Sequence, residues 1–363
     1  MISNQIIQTN IEELKEITKV EFWVYDDNGN VVASTVSNES ASSQIIKNFA
    51  DSMADSQVVS DYHFLKVKDE GETVYVLVIK GGGEEAYMIG KLAVCQFQNL
   101  LIAYKEHYDK TNFFQNLLLD NLLLVDIHNR ATRLHIEEEK RRLVYLIEVK
   151  ADYDNVVMEL LQSIFLSQAG DYVVSIDEHC VILIKELSEN DGKKEIETVA
   201  KTIVDMLNTE AMLKGRVAYG KPVNELKDLS KSYKEAKMAL EVGGIFYTYK
   251  TIISYDTMGI GRLIYQLPPN LCRLFIQEIY GDLSPSDIDE EIMTTVNKFL
   301  ENNLNVSETS RQLYIHRNTL VYRIEKLEKA IGLDMRVFED ALTFKIASMV
   351  LDYLKYLENQ EQK

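Results

Sequence analysis

Residues 305–332, NVSETSRQLYIHRNTLVYRIEKLEKAIG, constrain this chain more than any other stretch. Ser307 to Leu313 carries a short helical pattern, with Ser307 placed to cap it. Tyr314 and Ile315 turn the chain, and Arg317 to Ala330 follows as a longer helix. A short helix, a tight turn and a second helix make a helix-turn-helix. Leu313 and Ile315 pin the turn. Leu320, Ile324 and Leu327, spaced i, i+4 and i+7, form the inner stripe of the second helix. The outer face and first turn then carry His316, Arg317, Asn318, Thr319, Tyr322, Arg323 and Lys326. A recognition helix presents its N-terminal residues to base edges in the major groove. Arginine grips guanine through two hydrogen bonds, and asparagine does the same for adenine. Ser307, Thr309 and Tyr322 suit phosphate contacts, which set register without reading sequence. The competing reading is a helical pair with a solvated face. The polar run HRNT at a helix start favours DNA.

The overall charge opposes that reading at first sight. The chain has 39 Lys and Arg against 57 Asp and Glu, a net charge of −18. Phosphate backbones reward a basic surface. The excess is unevenly spread, however. Residues 307–330 hold five basic side chains (Arg311, Arg317, Arg323, Lys326, Lys329) against Glu308, Glu325 and Glu328, a local charge of +2. The first hundred residues hold seven lysines and 15 acids, a charge of −8, and the first arginine of the chain is Arg130. The balance excludes a protein that coats DNA and leaves room for one that reads a site. A length of 363 residues, 46% of them hydrophobic, suffices for two or three cored domains and excludes a disordered chain.

The remaining pattern predicts an α+β multidomain chain. Residues 1–99 read as a sensor domain of PAS- or GAF-like pattern. It has a helix over Asn4 to Thr18, a hairpin around Asp27-Asn28-Gly29-Asn30, and a second hairpin joining ETVYVLVIK to EAYMIGKLAV through a glycine turn. Residues 100–136 read as a helical linker, either packed on its own domain or pairing two copies. Residues 137–258 alternate strand and helix in the β-α-β-β-α-β order of a ferredoxin-like fold. Its helices are expected over Asn155 to Leu166, Lys193 to Leu213 and Asn224 to Val242. Residues 259–363 are helical, with helices over Glu290 to Glu301 and Phe338 to Leu357 flanking the helix-turn-helix. Cys95, Cys180 and Cys272 are far apart, which indicates isolated thiols rather than disulfides or a zinc knuckle. The N-terminus has no basic region followed by an apolar run, and Phe113 to Ile127 is too polar to cross a bilayer. A cytoplasmic protein is expected.

The string IHRNTLVYRIEKLEKAIGLD resembles the C-terminal helix-turn-helix of the CdaR/PucR family of bacterial transcription regulators. NRATRLHIEEEKRRLVYLIEV and RVAYGKPVNELKDLSKSYKEAKMALEVG resemble that family's middle domain. MGIGRLIYQLP and FIQEIYGDL resemble its connector. Together these cover about residues 130–363. The resemblance implies a degenerate GGDEF-like middle domain, binding to double-stranded DNA, and a homodimer or higher assembly. Some relatives sense sugar diacids through an N-terminal domain whose opening DDNGNVVAS resembles. The arginine and glycine motif that follows it there is absent, and a like-charged domain without arginine is poorly suited to a dicarboxylate. A neutral or cationic small molecule, or a protein, fits the charge better. Trp23, Tyr25, Tyr62, Phe64 and Tyr75 could line a pocket, although core packing is the commoner use of alternating aromatics. Gly82-Gly83-Glu84-Glu85 nearly spells the diguanylate cyclase signature, but a glycine turn between two strands explains it. The segment matching that signature in the middle domain is Ile176-Asp177-Glu178-His179, without glycines. Glu148 and Asp152 near the first strand's end do not form a metal set. No catalytic residue, cofactor site or metal site is expected. A nucleotide-handling protein built on the middle domain, and a scaffold using the helix-turn-helix for protein contacts, are the alternatives.

Overall fold

The computed structural model describes residues 2–37, 41–149, 154–165, 170–177, 180–284 and 287–361. It divides into two compact units, residues 1–114 and 115–363.

The first unit is a five-stranded antiparallel sheet with helices on both faces. Helix α1 (Asn4–Thr18) leads into β1 (Glu21–Asp26) and β2 (Val31–Ser34). Helix α2 (Ser43–Ala50), β3 (Ser56–Val59), β4 (Tyr62–Asp69), β5 (Glu72–Lys80) and α3 (Glu84–Leu118) follow. The strand order is β2-β1-β5-β4-β3. The β1–β2 hairpin forms at the expected turn, where Gly29 takes φ +88°. Asp26 closes it, its Oδ1 accepting from the Asn30 N–H at 2.7 Å. Period-two alternation then sorts the strands between two layers. Phe22, Val24, Leu65, Leu77 and Ile79 share a core with Ile7 and Ile11 of α1 and with Ala93 and Phe97 of α3. Trp23, Tyr25, Phe64, Val76 and Val78 pack with Ile46 and Phe49 of α2. The strand aromatics are therefore mostly core: Trp23, Tyr25, Phe64 and Tyr75 are buried, and Tyr62 packs against them half-exposed.

The second expected hairpin is a correction. ETVYVLVIK pairs backward with β4, through the turn after Asp69, and EAYMIGKLAV is the start of a helix. Ala86, Gly90, Ala93, Val94 and Phe97 recur at helical spacing and meet the sheet. Glycine at position 90 lets the helix backbone approach closely. A Cβ there would lie 2.7 Å from Leu65 Cδ1 and 2.8 Å from Ile79 Cδ1. The Gly82-Gly83-Glu84-Glu85 string thus joins a strand to a helix, with both glutamates in the first turn of α3.

The second unit opens with α4 (Leu124–Arg133) and β6 (Arg142–Glu148). Helix α5 (Asp154–Phe165), β7 (Tyr172–Asp177), β8 (Cys180–Glu186), α6 (Lys193–Thr209), β9 (Arg216–Tyr219), α7 (Leu229–Phe246) and β10 (Ile252–Ser254) follow. The β-α-β-β-α-β succession is present, with strands in the order β9-β6-β8-β7 and β10 added beside β9. Leu143, Tyr145, Ile147, Val181 and Leu183 face Val157 and Leu161 of α5 and Ile203 and Leu207 of α6, while α7 covers the other face of β6 and β9. The Tyr145 hydroxyl donates to the Ile196 carbonyl at 3.0 Å, and burial pushes its phenol far above the ordinary value. Several helix limits differ from the sequence pattern, with α7 running on to Phe246 rather than ending at Val242. Helix α6 stops at Thr209, short of Leu213, and α7 begins at Leu229 after a 3-10 turn over Leu226–Asp228. Glu178 and His179 of the expected hairpin, and Asp152, lie outside the described residues.

Six helices complete this unit among the described residues: α8 (Gly261–Tyr265), α9 (Pro269–Tyr280), α10 (Glu290–Glu301), α11 (Val306–Gln312), α12 (Arg317–Ile331) and α13 (Phe338–Glu361). Pro269 sits at the start of α9, where its missing N–H costs no hydrogen bond. No described helix is long and apolar enough to cross a membrane.

Candidate nucleic-acid interface

Helices α10, α11 and α12 converge on one core. Leu320, Ile324 and Leu327, the predicted inner stripe, are buried with Ile292, Val296 and Phe299 of α10 and Phe344 of α13. Ile315 packs at the edge of this core. The stripe fixes which face of α12 can turn outward.

Local chemistry sets both ends of the turn. Helix α11 is capped by Asn305, whose Oδ1 accepts from the Glu308 N–H at 3.0 Å. The cap is therefore Asn305 and not Ser307, which lies exposed inside the first turn. Asn305 and Glu308 have the spacing of a capping pair, a signal that the neighbouring serine obscured. After α11, the Ile315 N–H donates to the Ser310 carbonyl at 3.1 Å and the Tyr314 N–H to the Arg311 carbonyl at 3.3 Å. This is a Schellman closure, which places Tyr314 in the left-handed region at φ +57°. Glycine is the usual residue there, because a Cβ costs about 1–2 kcal/mol in that conformation. The Tyr314 ring is 96% exposed and has no packing to offset the strain. Tyr314→Gly should therefore raise the stability of this unit by about 1 kcal/mol, net of the greater freedom glycine has when unfolded. Chemical denaturation followed at the helical signal checks this, and a lower midpoint would mean that the ring is packed. His316 caps α12, its Nδ1 accepting from the Asn318 N–H at 3.2 Å.

The predicted contact residues divide into two groups. His316, Arg317, Asn318 and Thr319 are all exposed on the first turn of α12, with Tyr322 and Lys326 exposed further along and Ser307 exposed on α11. Arg317, Lys326 and Lys329 form no ion pair among the described residues. Thr309 is a correction: it is fully buried. Its hydroxyl donates to the Asn305 carbonyl at 2.7 Å and accepts from Asn302 Nδ2 at 3.2 Å. It braces the start of α11 and cannot meet a phosphate. Arg323 is the second correction. Its Nη1 donates to buried Thr295 at 3.0 Å, and its Nη2 pairs with Glu291, both on α10. Arg323 thus ties α12 to α10. Arg311 is likewise engaged, by Glu308, and its guanidinium together with Gln312 holds the Glu308 carboxyl below its ordinary value.

Sequence reasoning also missed Arg336. It donates to Asp334 at 2.7 Å and to Glu328 at 2.8 Å, gathering acids at the end of α12 just past Gly332. Nothing in a periodicity pattern marks such a clamp, because its partners lie in a loop and on the exposed side of a helix.

In the sheet-bearing part of the unit, Glu148 is engaged by Arg216, whose Nη2 and Nε reach its Oε2 at 2.6 and 2.8 Å.

Residues 292–350 match the PucR C-terminal helix-turn-helix domain and residues 121–242 match the GGDEF-like domain. The purine catabolism regulatory protein of Bacillus subtilis (strain 168) is 26% identical over 172 residues, which are 46% of this chain and 32% of that protein. The carbohydrate diacid regulator of Escherichia coli (strain K12) is 22% identical over 300 residues, 78% of each chain. The proline-responsive transcriptional activator PutR of Bacillus subtilis (strain 168) is 25% identical over 178 residues, 46% of this chain and 42% of that protein. The match thus spans about a third of the first of these relatives and most of the second.

Proposed function

This chain is a homologue of the PucR and CdaR regulators, and from that premise we propose that it is a sequence-specific transcription regulator that reads double-stranded DNA through α12. The observation that carries the reading is the exposed first turn of that helix, His316 to Thr319, which forms no ion pair among the described residues and is fixed by a buried stripe behind it. Arg317 takes a guanine edge and Asn318 an adenine edge. Ser307, Tyr322 and Lys326 hold phosphates, and His316 orients the turn. The acidic remainder of the chain keeps non-specific contacts weak.

The N-terminal unit receives the signal in this proposal. Its antiparallel sheet, covered by helices on both faces, supports the PAS- or GAF-like reading. The signal is a neutral or cationic small molecule or a protein, and the protein works in the cytoplasm. The GGDEF-like domain transmits and catalyses nothing. The domain division at residues 99, 136 and 258 belongs to the same proposal, the first of these falling within the continuous helix α3. Two copies are needed to place two recognition helices about one turn of DNA apart, ~34 Å.

Selection of the full chain against a random duplex library tests the reading. The expected result is one enriched motif with twofold-related halves. Recovery of duplexes with no common sequence would overturn it.

A further inference from the structure

The long helix α3 is two-sided. One side, with Ala86, Ala93, Val94 and Phe97, is buried on the sheet of the first unit. The opposite side carries a second apolar row that is exposed among the described residues. Met88 is 57% exposed, Leu92 71% and Ile102 61%, with Cys95 and Asn99 exposed between them. These five positions are spaced 4, 3, 4 and 3 residues apart, the a/d spacing of a coiled-coil seam. In that register Met88, Cys95 and Ile102 are d positions, and Leu92 and Asn99 are a positions. The row contains no charged residue until Glu106.

We propose that this seam pairs with the same seam of a second copy of the chain, in parallel and in register. Three features select that occupant. The spacing is self-complementary: identical layers meet across a twofold axis along the helix, so each a and d knob finds its own kind. Asn99 is the second. A lone asparagine at an a position weakens a seam but specifies a two-stranded, in-register pair, because its amide is satisfied by the same amide of the partner. The third is the flanks. Lys91, Gln96, Gln98, Ala103 and Lys105 border the row, so no line of acids from one copy would face acids of the other. A seam of only five layers is short for a free peptide. Here the helix is already formed by packing on the sheet, so pairing need not order it first. Lys105 is held to Glu70 at 2.7 Å within its own unit, leaving the apolar row as the contact.

The pairing is independent of which bases α12 reads, and it is tested without DNA. In the proposed pair Cys95 lies opposite Cys95, within disulfide range. Mild oxidation of the full chain should give a disulfide-linked dimer, abolished by Cys95→Ser and retained in Cys180→Ser. An antiparallel pair could also bring two Cys95 residues together. The double variant Cys95→Ser, Ile102→Cys separates the cases, since only a parallel, in-register pair links position 102 to itself. Leu92→Glu should convert the dimer to a monomer in sedimentation while leaving the far-UV circular dichroism spectrum unchanged, because Leu92 is exposed and belongs to no core of its own unit. A wild-type chain that is monomeric at micromolar concentration overturns the proposal. So does a dimer that survives Leu92→Glu, or a double variant that fails to cross-link.

Discussion

Replacing Leu320 with alanine should cost this protein about 2–5 kcal/mol of stability in its C-terminal helical core. Leu320 is fully buried at the first inner position of α12, between α10 and α13, and both neighbours are held by the rest of the unit. The cavity would not collapse easily, which places the loss toward the upper part of that range. A domain is typically stable by only 5–15 kcal/mol, so a substantial population would be unfolded under mild stress. DNA binding should then fall for every sequence alike, with the order of preference among sites unchanged. Urea unfolding and a competition series over several duplexes measure the two effects. A stability loss below about 1 kcal/mol would show that α12 is not packed through this stripe.

Arg317→Ala should show the complementary pattern. Arg317 is exposed and forms no ion pair among the described residues, so its removal should leave the unfolding midpoint in place. Loss of one bidentate base contact costs about 1–3 kcal/mol of discrimination, roughly a 5- to 150-fold loss of affinity for the selected site and little for unrelated DNA. Arg317→Lys keeps the charge but loses the planar fork, and should recover only part of the loss. Equal binding of Arg317→Ala and wild type to the selected site would remove this residue from the reading face.

Much of this arrangement was legible in the sequence because it depends on near neighbours. The limits of α1 and α10 follow from local periodicity and caps, and the stripe of Leu320, Ile324 and Leu327 sorts inside from outside without knowledge of the partner helices. Errors arose where a distant contact overrides the local pattern. EAYMIGKLAV alternates well enough for a strand. It becomes helix because small residues at 86, 90 and 93 let it lie against a sheet formed by other segments. Thr309 and Arg323 carry the chemistry of phosphate contacts, yet Asn302, Asn305, Glu291 and Thr295 claim them first. Sequence shows which groups a residue offers, and only the fold shows whether another residue has already taken them.

Under the proposed function, the hold of Glu291 on Arg323 has a consequence for the search along DNA. A free surface arginine that docks on phosphate expels condensed counterions, and that expulsion drives much of non-specific affinity. Arg323 arrives already neutralised. A phosphate that engaged it would compete with a carboxylate, and an exchange of one anion for another frees fewer ions. The motif thus carries more positive residues than it can use as electrostatic glue. In the proposed function, its grip on random DNA would be set by the few cations left unclaimed, and the residence time at any wrong sequence would be shortened accordingly.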